Sequence, residues 1–93
     1  HLAIVRVIGN SMEPELFAGD RVLVDTDHKI PSPDGLYVVW NGIGVVIKQL
    51  QVVPRTMPPI VRIISVNPSY PTDEIPLSEL VINGRVVGKW TWK

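Results

Sequence analysis

Ser11 stands in Gly9-Asn10-Ser11-Met12-Glu13-Pro14, where a glycine and an asparagine interrupt an apolar run and a proline follows shortly after. A small polar side chain at such a junction is exposed, and the backbone N–H groups around it lack partners. Donors of that kind stabilise an oxyanion if a carbonyl is held among them. A serine hydroxyl alone is a poor nucleophile and needs a base. His1 and His28 are the only histidines, and His28 lies in a polar stretch that reads as a solvated loop. The other candidate base is Lys48, in Gly44-Val45-Val46-Ile47-Lys48-Gln49-Leu50. With a period of two, Val46, Lys48 and Leu50 share one face, and Val45, Ile47 and Gln49 the other. Burial of the first face strips water from the ammonium and favours the neutral amine, which is the form a serine–lysine pair requires. The plainer reading is a lysine whose stem packs on the sheet while its ammonium reaches water.

Short strands must position these groups. Leu2 to Ile8 is apolar and β-branched apart from Arg6, and reads as a strand. Glu13 to Phe17 contains Pro14 and is compatible with one helical turn. Ala18-Gly19-Asp20 is a turn, and Arg21 to Asp25 alternates as a half-buried strand does. Thr26 to Gly35 is a loop, followed by a strand over Leu36 to Trp40. Asn41-Gly42 is a hairpin signal because both residues tolerate positive φ. Val45 to Val53 is the returning strand, Pro54 to Pro59 a loop, and Ile60 to Val66 a strand. Asn67 to Pro76, with three prolines, reads as an extended connection, and Leu77 to Leu80 as a short turn. A second Asn-Gly at 83–84 predicts another turn, with Arg85 to Trp92 as the final strand. Such a series predicts a mostly β fold: compact, highly bent antiparallel sheets forming a partly closed barrel.

The bulk composition narrows the function classes. A chain of 93 residues suits one compact domain. Nine basic residues balance nine acidic ones, so the chain has no net electrostatic pull toward nucleic acid or an anionic membrane. The absence of cysteine excludes a thiolate nucleophile, a disulfide framework and a cysteine metal cluster. Two histidines without further ligands at suitable spacing predict no metal site. No cofactor is called for. No apolar run approaches the roughly 18–20 residues of a membrane helix, and no signal peptide opens the chain. These features fit a cytoplasmic protein.

Four blocks together resemble the serine–lysine peptidase clan of LexA-like and phage repressors, related mutagenesis proteins and type I signal peptidases. The first is Gly9 to Pro14 with Gly19-Asp20-Arg21-Val22-Leu23-Val24. The second is Asp34 to Val39 leading into Val46-Ile47-Lys48-Gln49-Leu50, which resembles the strand carrying the family's catalytic lysine. The third, Ile64 to Pro71, resembles an Asn-Pro-x-Tyr-Pro loop, and the fourth, Ile82 to Gly88, resembles the closing strand. The third and fourth blocks, with the absent membrane anchor, look more like repressors than signal peptidases.

The resemblance implies that Ser11 attacks a peptide carbonyl, that neutral Lys48 takes its proton, and that the backbone N–H groups of Asn10 and Ser11 form the oxyanion hole. Met12 is expected in the core, lining a wall of the site, and Gly19-Asp20 is expected to serve the turn. Tyr70 either covers the site or packs in the core, and either proline bond of its loop is a candidate for cis. The substrate implied is the repressor's own upstream linker, cut at an Ala-Gly or Cys-Gly bond. The one Ala-Gly here, Ala18-Gly19, belongs to the turn, so the scissile segment and a DNA-binding N-terminal domain are expected outside this chain. Residues 1–93 then form a self-cleavage and dimerisation domain, stimulated by RecA filaments and touching DNA only through that other domain. Trp90 and Trp92 share a strand face and are expected either to anchor a homodimer or to cap the domain's own core. Two competing functions are a non-catalytic dimerisation module and a soluble peptidase acting on other proteins.

Overall fold

Seven strands pair antiparallel into one sheet in the computed structural model, which describes residues 1–90. They are β1 (Leu2–Arg6), β2 (Arg21–Asp25), β3 (Gly35–Trp40), β4 (Val45–Val53), β5 (Ile60–Ile64), β6 (Asp73–Pro76) and β7 (Ile82–Trp90), with a 3-10 turn at Leu77–Glu79. Their order across the sheet is β1-β2-β7-β3-β4-β5-β6. The mostly β, antiparallel architecture expected from the sequence is therefore the one formed. Its edges, β1 and β6, are not paired with each other, so the sheet is bent but not a closed barrel.

Alternation along the strands loads both faces. On β3, Val38 enters one cluster with Val7, Met12, Leu16, Val22, Val24 and Ile47. Its neighbours Tyr37 and Val39 enter a second with Leu50, Val61 and Ile82. The first cluster is covered by the segment between β1 and β2, which supplies Val7, Met12 and Leu16. The second draws almost wholly on the sheet's own strands, so the sheet must curl over it.

The single helical turn expected after Ser11 forms, closed by the Leu16 N–H donating to the Met12 carbonyl at 2.9 Å. The structure departs from the sequence reading in three places. The connection expected over 67–76 ends in a strand, β6, an edge position where its proline is tolerated. Asn83-Gly84 is not a turn: β7 runs straight through it. A Cβ on Gly84 would lie 2.5 Å from Val24 Cγ1 and 2.8 Å from the Asp25 carbonyl oxygen. Close approach of β2 to β7, beside a register shift at Leu23/Val24, selects the glycine. Finally, the cis prolines are Pro14, Pro33 and Pro58, and neither proline of the Tyr70 loop. The side chain of Trp90 and the whole of Trp92, on which the interface expectation rests, lie outside the described residues. Among those residues, no helix is long and apolar enough to cross a membrane.

Candidate active site

After β1 the chain stays tied to the turn before β2. Val7 N–H donates to the Asp20 carbonyl at 2.9 Å, and Gly19 N–H donates to the Val7 carbonyl at 2.9 Å. Asp20 is buried and accepts the Phe17 N–H at 2.9 Å, so Gly19-Asp20 serves the turn. Gly9, at φ 78°, takes a left-handed conformation and redirects the chain. Met12 and Leu16 then plunge into the first cluster. Ser11 is left half-buried at a cleft of about 180 Å³ whose walls include Val7, Ile8, Met12, Val38 and Ile47. Met12 is buried in the first cluster and lines the same cleft as Ser11.

Lys48 is delivered by register. Tyr37 pairs with Lys48 across β3–β4, and Gln49 with Ile64 across β4–β5, which brings Ser65 opposite Lys48 on the same face. Lys48 Nζ donates to the buried Ser65 Oγ at 2.7 Å. The Tyr70 ring lies over the ammonium, 5.7 Å from ring centroid to Nζ. Burial pushes the Lys48 ammonium below its ordinary pKa, and the Asp73 carboxylate acts in the opposite direction. Lys48 lines a second cleft, of about 440 Å³, with Ile63, Asp73, Ile75 and Glu79. Val46 borders both clefts.

The loop after β5 joins the two sides. Asn67 N–H donates to the Ser11 carbonyl at 2.9 Å, and Asn67 Nδ2 donates to the Asn10 carbonyl at 2.9 Å. The Tyr70 hydroxyl donates to Asn10 Oδ1. Asn67 is itself braced, with its Oδ1 accepting Ser69 N–H at 3.0 Å. Tyr70 is 40% exposed, outside the core, and reaches from Asn10 to Lys48. Among the described residues no hydrogen bond joins Lys48 Nζ to Ser11 Oγ, and the ammonium's partner is Ser65. His28 belongs elsewhere, bonded to the Ser32 carbonyl at 2.7 Å and tilted against the Tyr37 ring.

The family model described as peptidase S24-like matches residues 1–87. The chain belongs to the peptidase S24-like family. The match takes in Ser11, Lys48 and the whole 65–70 loop, and this family is generally serine peptidase-like. A search of the curated proteins finds no match. Within the S24-like domain, two residues at the site were not singled out from sequence. Ser65 lies between the apolar Ile64 and Val66, and only the β4–β5 register reveals that it faces Lys48. Asn67 stood inside a recognised block, yet its grip on residues 10 and 11 depends on the loop's folded path.

Proposed function

We propose that this S24-like domain is a serine peptidase in which Ser11 is the nucleophile and Lys48 the base. We read it as the self-cleaving and dimerising part of a transcriptional repressor. The observation that carries the reading is Lys48: a half-buried amine with its pKa lowered, held between Ser65 and the Tyr70 ring on the loop that also grips Asn10 and Ser11. A neutral amine keeps two N–H bonds and one lone pair. One N–H donated to Ser65 fixes the nitrogen while the lone pair remains for the Ser11 hydroxyl.

In this mechanism Ser11 Oγ adds to a peptide carbonyl as its proton passes to Lys48 Nζ. The backbone N–H groups of Asn10 and Ser11 receive the oxyanion. Collapse breaks the C–N bond, and the Lys48 proton leaves with the amine. Water then attacks the acyl ester with Lys48 again taking a proton, which returns to Ser11 as the ester C–O bond breaks. The substrate we propose is the protein's own upstream linker, at an Ala-Gly or Cys-Gly bond, in a longer chain with an N-terminal DNA-binding domain. A homodimer in the cytoplasm, stimulated by RecA filaments, completes the proposal.

The test is a longer chain carrying such a linker, incubated across a pH series. Cleavage should rise with pH as Lys48 loses its proton, and Ser11→Ala and Lys48→Ala should each abolish it. A second reading, a dimerisation module without catalysis, is favoured by one observation: the Lys48 hydrogen bond goes to Ser65 and not to Ser11. An intact linker at alkaline pH, even with RecA filaments present, selects that reading.

A further inference from the structure

Lys48 faces groups from every strand packed beside it. Tyr37 on β3 is its cross-strand partner, with Arg85 of β7 next beyond on the same face. Ser65 and Tyr70 follow β5. On β6, Asp73 pairs with Ile63, which pairs with Leu50, two residues along β4 from Lys48. With a period of two, Asp73 therefore shares the Lys48 face, one row removed. Glu79, from the 3-10 turn, lines the same cleft as both. The next acid on β6, Glu74, projects to the opposite face, where Arg62 holds it at 3.1 Å. Among the described residues Asp73 has no ion-pair partner within bonding distance, and it lines the cleft that Lys48 lines.

We propose that Asp73 is a positioning residue that holds Lys48 in its ammonium form, as an electrostatic brake on the base. The proposal rests on reading Lys48 as that base. Two opposed influences then set the resting state: the sheet and the Tyr70 ring remove water from the amine, and a carboxylate across the cleft retains its proton. Asp73 is exposed, so solvent and salt weaken its pull. A ligand or partner surface that covers or neutralises Asp73 would release the brake without touching Ser11 or Lys48.

The experiment reads the amine directly. Lys48 is titrated by NMR, through its side-chain ε-carbon resonance, in the Ser11→Ala background with Asp73 intact, Asp73→Asn or Asp73→Lys. The expected midpoint falls in Asp73→Asn and falls further in Asp73→Lys, while Glu74→Gln leaves it in place. Added salt should lower the midpoint when Asp73 is intact and do so less in Asp73→Asn. In the linker-bearing chain with Ser11 present, Asp73→Asn should raise cleavage near neutral pH roughly two- to fivefold, the size expected of an exposed charge pair. It should leave the alkaline plateau unchanged. An unmoved Lys48 midpoint in both Asp73 variants overturns the brake whatever the cleavage result. A midpoint that moves as expected in a chain that never cleaves upholds the coupling and overturns the peptidase reading instead.

Discussion

A serine with a lysine for its base depends on where the amine nitrogen points as much as on its charge. Ser65 matters for that reason, because its hydroxyl, just past the end of β5, takes the Lys48 hydrogen bond at 2.7 Å. Ser65→Ala should lower linker cleavage by up to about 10²-fold, the cost of misplacing a reacting group by an ångström or so. Ser65→Thr, which keeps a hydroxyl, should restore most of it. If the Ala variant cleaves as fast as the parent chain, the amine is not being aimed by Ser65. Ser11 and Lys48 stood out in the sequence as candidates because each stands in a distinctive block. Ser65 did not, because a serine between Ile64 and Val66 looks like any polar position of a half-buried strand. Facing is a property of register, and register is settled by pairing between segments.

At the scale of the elements, β2 and β4 have the bounds read from their alternation. The misreadings came from residues whose local preference was overruled by neighbours in space. Asn83-Gly84 carries a strong turn preference, yet β2 passes so close that the missing side chain is the reason for the glycine. Gly84→Ala should destabilise the domain by about 1–3 kcal/mol, the usual cost of forcing a methyl into packed surroundings. A thermal or urea melt that leaves the midpoint unchanged would mean β2 and β7 can part cheaply. The prolines around β6 concealed it in the same manner: they suit an edge strand as well as a loop, and only the observed pairing of Pro76 with Ile60 separates the two.

For the molecule as a whole, the charge balance read from composition conceals groups that the fold treats unequally. Folding favours the neutral amine of Lys48, so around alkaline pH the unfolded chain binds the extra proton. Stability contributed through Lys48 therefore rises as pH climbs from its lowered folded pKa toward the ordinary lysine value of 10.5, and is level above that. Tyr37 works oppositely. Burial raises its phenol, so folding keeps that proton longer, and stability falls as pH passes the ordinary tyrosine value of 10.0. Comparing the parent chain with Lys48→Met cancels the tyrosine. The difference in unfolding free energy between the two should drift in favour of the parent as pH rises through that window. A flat difference would mean that the amine is as well hydrated in the folded domain as in the open chain.

The bonds from Asn67 and Tyr70 to Asn10 join positions 57 and 60 residues apart without any strand pairing, and Asn67 also holds the Ser11 carbonyl. A clasp made of so few bonds can open while every strand ladder stays closed, because its breaking disturbs no sheet neighbour. In the proposed mechanism Ser11 and Lys48 stand on segments that this clasp joins, so bringing them together becomes an event distinct from folding. If the proposed self-cleavage holds, a chain that stays intact until signalled and then cuts itself once is well served by a site that can be undone without being unmade.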